Sequence, residues 1–186
     1  GIERTTIGFI SWVALAYAFK VLWAPFVDRL PLPVLTRYFG QRRGWLLFTQ
    51  VLLALGLAAM AVTDPADNLA LLVGLALFVA LASATQDVVF DAYRIESADV
   101  RLQGIMAAAA TTGYRVGMFA ASAGAFWIAA AVDMDESTYQ QAPWMVAYLV
   151  MAGLMSVGFI TTLWSPEPPV NNYNGFCGGA PPTLRE

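Results

Sequence analysis

The sequence predicts an all-α, polytopic membrane protein with five transmembrane helices. Three observations predict it. Hydrophobic residues make up 59% of the chain and charged residues 12%, against roughly 45–50% apolar and about 25% charged in soluble domains. Five apolar runs come near the ~20 residues that a helix needs to cross a bilayer. The arginines between these runs fall on alternate connections, as charges that set membrane orientation do. Only helices or a closed barrel satisfy backbone polar groups in lipid, and these runs are too long and too uniformly apolar for barrel strands.

The first run extends from Ile7 to Val27, is interrupted by Lys20 and is closed by Pro25. The second runs from Trp45 to Val62. The third runs from Leu69 to Tyr93 and carries Asp87 and Asp91. The fourth, rich in alanine and glycine, runs from Gly104 to Val132 and contains Arg115; the fifth runs from Pro143 to Trp164. Asp64-Pro65 and Ala142-Pro143 mark short turns, and Trp45, Trp144 and Trp164 sit near run ends, where indole rings favour the interface. The segment from Val170 to Glu186 holds Asn, Gly and Pro with little apolar content and reads as a polar linker or tail.

Connection charges orient the helices. Arg29, Arg37, Arg42 and Arg43 lie between the first two runs, and Arg94 and Arg101 between the third and fourth. The other two connections, with Asp64 and Asp67 and with Asp133, Asp135 and Glu136, carry no Lys or Arg. The arginine-bearing side is therefore expected to be cytoplasmic. The chain begins with Gly1 rather than Met, and the expectation is a piece of a longer chain.

Composition narrows the chemistry. Histidine is absent and Cys177 is the one cysteine, which removes His-based acid/base chemistry, His-based metal sites and an intrachain disulfide. No metal or other cofactor is expected. A net charge of −3 gives no reason to expect a nucleic-acid partner. No nucleophile or Cys/His cluster points to an enzyme.

The chemistry-bearing stretch is Gln86 to Arg94. Asp87 and Asp91 are four residues apart and share one helix face, with Ser83 a turn above and Arg94 a turn below. Ionisable groups within a membrane span are costly, usually face the bundle interior or a watery cavity, and mark ion or substrate pathways. The intramembrane charges Lys20, Asp87, Asp91 and Arg115 sum to zero. Two readings are open: they line a polar cavity for substrate and protons, or they pair to hold helices in register. Like charges one turn apart raise a carboxylate pKa, and nearby cations oppose that. A carboxylate that exchanges a proton is what a proton-coupled carrier needs, and Asp87, farther from the cytoplasmic end than Asp91, is the preferred proton carrier. Arg115 either grips an anionic substrate group bidentately or neutralises an acid. Lys20 either faces the cavity or snorkels toward the cytoplasmic end. Gln86 can donate and accept hydrogen bonds in the cavity or to a neighbouring helix. Gly113, Gly117 and Gly124 are expected to allow close helix approach.

The loop from Ala24 to Gly44 carries Asp28-Arg29 and, beyond an insert, Arg42-Arg43. It resembles the signature loop between the second and third helices of the major facilitator superfamily, with Ala24 in place of that pattern's first Gly. Four blocks resemble the AmpG muropeptide permease family more closely: Lys20 to Arg29, Arg42 to Gln50, Gln86 to Ala92, and Gly113 to Met118. The resemblance implies a bacterial inner-membrane symporter that imports anhydro-muropeptides with protons, built on a twelve-helix or longer plan. The five helices would be the second to sixth, part of the N-terminal bundle, completed by the remainder of the chain. It also implies proton coupling at Asp87 and Asp91. In a carrier of this kind Lys20, Arg115, Gln86 and Tyr114 are expected to bind substrate or act as counter-ions, and Asp28, Arg29, Arg42 and Arg43 to form a conformational latch. The partners would be lipid, protons and a small glycopeptide. Related acetyl-coenzyme A carriers share parts of these motifs, and a non-transporting structural subunit is the alternative of a different class.

Overall fold

The computed structural model describes residues 19–20, 22–132 and 141–168. Residues 22–29 form the end of a helix, α1, which also includes 19–20. It is followed by α2 (Leu35–Phe39), α3 (Gln41–Val62), α4 (Leu69–Glu96), a short 3-10 turn (Val100–Leu102), α5 (Gln103–Val132) and α6 (Gln141–Trp164). All regular structure among the described residues is helical. Four helices there are long and apolar enough to span a membrane: Gln41–Val62, Leu69–Glu96, Val100–Val132 and Gln141–Trp164. The fold is that of an all-α, multi-pass membrane protein. Most of the expected first span, 7–27, and the polar tail 170–186 lie outside the described residues.

The α3 helix is the centre of the arrangement, with α4 packed on one side and α6 on the other; α5 packs on α6. Accordingly α3 buries the largest share of its span. Close contact with α4 requires Gly56. A Cβ there would lie 2.6 Å from Val79 Cγ2 and 3.2 Å from the Phe78 ring, so the absence of a side chain lets the two helices approach. The glycines expected to serve this purpose behave differently. Gly113 and Gly117 on α5 face open space, with nothing within 4 Å of a built Cβ, and Gly124 meets Met151 only at 3.5 Å. Gly113 and Gly117 therefore do not mark a close helix approach, and Gly124 makes an ordinary contact with α6, because α5 leans on α6 and stands away from α4.

Two helix boundaries extend beyond the apolar runs. The α3 helix starts at Gln41 rather than at Trp45, taking both arginines into its first turn. A helix start needs acceptors for its free N–H groups, and the Glu167 carboxylate supplies them to Arg42 and Arg43 at 2.8 and 3.1 Å. The α4 helix continues to Glu96, where Ser97 Oγ donates to the Tyr93 carbonyl and Gln103 Nε2 donates to the Ile95 and Ala98 carbonyls. At its other end Asn68 Oδ1 accepts from Leu71 N at 3.1 Å, an N-cap of the standard kind. Within the expected insert, α2 folds against the start of α3.

The α1 segment is fixed to α4 and α3 by a small cluster in which Val27, Leu46 and Val89 are buried, with Trp23, Trp45 and Tyr93 around them. Trp23 Nε1 donates to Thr85 Oγ1 at 3.2 Å, and Trp45 Nε1 donates to the Leu30 carbonyl at 2.8 Å. Both tryptophans therefore hold the N-terminal segment in place, a role for Trp45 beyond that of an interface anchor. The end of α1, the start of α3, the end of α4 and the end of α6 meet at the arginine-bearing end of the bundle.

Candidate functional site

Two groups of polar side chains stand out, one within the spans and one at the arginine-bearing end. The first is organised by α4. Because α5 stands away from α4, a cleft of about 520 Å³ opens between them, lined on α4 by Gln86, Asp87, Phe90, Tyr93 and Arg94. The α5 wall is made largely of small residues (Ala109, Ala110, Gly113), with Tyr114. An adjoining space of about 230 Å³ is lined by Asp87, Asp91, Arg94, Thr111 and Tyr114. Two turns of helix thus direct both acids and one arginine into a shared hollow.

The acids have different partners. Lys20 Nζ lies 3.5 Å from Asp87 Oδ2, so Lys20 turns toward α4 rather than away along its own helix. Trp23, one turn on, reaches Thr85 of the same α4 face, which fixes the α1 backbone where Lys20 can make this pair. Asp91 pairs with Arg94 of its own helix at 3.5 Å. Both distances exceed the ~2.7–2.9 Å of a tight charge-assisted bond, so the ions are neighbours rather than locked pairs. Arg115 is exposed, makes no ion pair among the described residues, and is not part of the cleft lining. Thr111 and Ser122 of the same helix donate to its own carbonyls, those of Ala107 and Met118.

Gln86 links two spaces. It lines the α4–α5 cleft and also a chamber of about 260 Å³ between α3, α4 and α6, together with Gln50, Thr162 and Ser165. Gln50 Nε2 donates to Thr162 Oγ1 at 2.9 Å, a buried bond that ties α3 to α6. No reading of the sequence pointed to that pair. A glutamine in the middle of an apolar run was the available signal, since a buried amide has to find a partner.

At the arginine-bearing end, Arg42 is the hub. Its guanidinium makes a two-pronged contact with Glu96 (Nε–Oε2 2.9 Å, Nη2–Oε1 2.5 Å) and reaches Asp28 with Nη1 at 2.6 Å. Arginine's planar fork suits this geometry. Asp28, at the end of α1 where the helix dipole disfavours an acid, is thus offset by the first turn of α3. Arg43 donates to the Thr162 and Leu163 carbonyls at 3.1 and 2.6 Å, satisfying carbonyls in the last turn of α6. Arg29 is exposed and makes no ion pair among the described residues.

Glu96 and Glu167 were not expected in this group. Glu167 follows the end of α6, where a carboxylate gains nothing from its own helix dipole. It reaches instead to the start of α3, the electropositive end of another helix. Gly40 makes room for it: its φ of 88° belongs to glycine, and a Cβ there would overlap the Glu167 carboxyl.

Over 167 residues the chain is 40% identical to the anhydromuropeptide permease of Escherichia coli (strain K12), a match covering 90% of this chain and 31% of that protein. The chain is AmpG-like. It is 32% identical over 169 residues to putative transporter AmpG 4 of Rickettsia felis, covering 90% of the chain and 39% of that protein. It is 38% identical over 122 residues to putative transporter AmpG 3 of Rickettsia typhi, covering 65% and 29%. The AmpG-like chain therefore spans about a third of the length of the curated relatives it matches. These relatives are named as a permease and as transporters. No protein-family model matches the chain.

Proposed function

We propose that this chain is part of a secondary active transporter of the major facilitator type, which imports anhydro-muropeptides into the bacterial cytoplasm across the inner membrane together with protons. The observation that carries the reading is the pair Asp87 and Asp91 directed into one cleft within the spans, on a chain 40% identical to a protein named anhydromuropeptide permease. Ionisable groups are retained at such depth where they serve a substrate or proton path. In this reading Asp87 carries the proton, Lys20 is its counter-ion when the proton leaves, and Gln86 and Tyr114 offer hydrogen bonds to the sugar-peptide. Arg115 serves a substrate group or an acid in another state of the transport cycle. Arg42, with Asp28 and Glu96, latches helix ends on the cytoplasmic side in one conformation, and breaks as the bundles rock about the midplane.

The test is uptake of labelled anhydro-muropeptide by the full-length protein in vesicles with an imposed pH gradient. Gradient-driven accumulation is expected, and Asp87→Asn should abolish accumulation above equilibrium. Full accumulation by Asp87→Asn would remove Asp87 from the proton path, and equal uptake without a gradient would remove coupling altogether.

The Lys20–Asp87 contact at 3.5 Å favours one second reading, in which the charges only hold α1 against α4. A neutral Lys20→Gln/Asp87→Asn double variant separates the two. Retained gradient-driven accumulation supports the structural role, and its loss with a normal fold supports the transport role.

A further inference from the structure

Arg94 is the cation in the cleft whose donors are least satisfied. Its side chain is only 18% exposed, and it lines both parts of the hollow between α4 and α5. Its one ion pair among the described residues, Nη2 to Asp91 Oδ1, is 3.5 Å long. Its Nε is buried without a hydrogen-bond partner. A guanidinium stays charged and carries five N–H donors in a rigid fork, and buried donors are nearly always matched. Arg42 shows what this chain does with a satisfied arginine: its Nε and Nη2 together grip one carboxylate, that of Glu96. On Arg94 the same edge has a vacant Nε and a loosely held Nη2. The facing wall of α5, with Ala107, Ala110 and Gly113, leaves a hollow beside the Arg94 side chain, and nothing lies within 4 Å of a Cβ built on Gly113; Nε itself is enclosed, so the guanidinium turns to bring that edge to the hollow.

We infer that Arg94 is the anchor for a carboxylate of the transported ligand, with Asp91 steadying the guanidinium until the ligand arrives. The inference rests on the transport reading and adds the residue and the chemical group that it recognises. A planar carboxylate takes the Nε–Nη2 edge bidentately, supplying the missing partner and displacing the long Asp91 contact. The side chain of Asp91 is more than half exposed and lines the same hollow, so it has room to swing aside when displaced. Asp87 is already attended by Lys20 and does not compete. A peptide-bearing ligand offers the required group in its terminal or side-chain carboxylates; a neutral sugar does not.

The experiment uses the full-length protein in detergent and two probes, an anhydro-muropeptide with its peptide carboxylates free and the same compound with them converted to carboxamides. Calorimetry measures binding of each, and vesicle uptake is followed in parallel. Wild type should bind the carboxylate form roughly tenfold or more tightly than the carboxamide, the scale of a bidentate contact to a charged group. Arg94→Gln should bring that ratio to about one. Arg94→Lys, which keeps the charge without the fork, should give an intermediate ratio and serves if the glutamine variant does not fold. Asp91→Asn, which removes the competing acid, should raise the ratio. A ratio unchanged in Arg94→Gln or Arg94→Lys overturns the inference. Equal binding of both probes by wild type overturns it while leaving transport standing. Binding of neither probe overturns the transport reading and this inference with it.

Discussion

Replacing Arg42 tests the hub at the arginine-bearing end directly. Its side chain is 13% exposed, and its partner Glu96 30%. The Glu96 contact has two short prongs of 2.9 and 2.5 Å. Hydrogen bonds to charged groups contribute about 1.5–3 kcal/mol each when their partners are shielded from water. Asp28 is nearly half exposed, and its contact adds about 0–1 kcal/mol, as exposed pairs do. Removing the guanidinium also leaves two carboxylates facing the same space with no cation between them. Arg42→Gln is therefore expected to cost about 2–4 kcal/mol, dominated by Glu96. The assay is a double-mutant cycle of Arg42→Gln and Glu96→Gln in the full-length protein, read by denaturant unfolding in detergent. A coupling energy of about 1.5–3 kcal/mol is expected, with the same cycle on Asp28 giving under about 1 kcal/mol. If the Glu96 coupling falls to the level of the Asp28 coupling, the assignment of Arg42 as a shielded two-pronged clamp is refuted.

Two glycine predictions follow from the same packing. Gly40→Ala places a Cβ at a backbone conformation reserved for glycine and against the Glu167 carboxyl; it is expected to cost about 1–3 kcal/mol, seen as a lower unfolding midpoint, and a midpoint equal to wild type would contradict the cap. Gly56→Val should separate α3 from α4, since even a Cβ meets Val79 and Phe78, whereas Gly117→Ala, open on its face, should change the midpoint little. Comparable losses at Gly56 and Gly117 would place an unseen contact on α5.

The apolar spans were legible because lipid solvent demands long, uniformly apolar helices, a local property that a single segment states by itself. The acids at Asp87 and Asp91 were legible for the same reason, as exceptions within such a run. What was not legible depends on pairs far apart in the chain. The three cations Lys20, Arg94 and Arg115 could each have been matched with either acid. The structure pairs Lys20 with Asp87 and Arg94 with Asp91, because α1 crosses α4 near Thr85 while α5 stands away. Arg94 reads in the sequence both as a connection charge and as a residue one turn below the acids, since the apolar pattern gives out near Tyr93; the helix continues to Glu96 and turns Arg94 into the cleft. Helix ends depend on capping groups, and the cap of α3 comes from Glu167, 125 residues from Arg42. Glycine positions gave the composition of α5, but not which faces would meet a neighbour.

The Glu167 cap has a consequence for how this end of the protein tolerates change. Its carboxylate accepts hydrogen bonds from the main-chain N–H groups of Arg42 and Arg43, not from their guanidinium groups. The acid thus recognises the presence of a helix start rather than the identity of the residues that form it. Side chains at 42 and 43 can vary without loosening this grip, so long as neither becomes proline, the one residue without an N–H to offer. An apparent acid–base pairing between Glu167 and the arginine doublet would therefore be misleading: charge reversal of both partners would not restore the contact, because a basic side chain at 167 would have nothing to accept with.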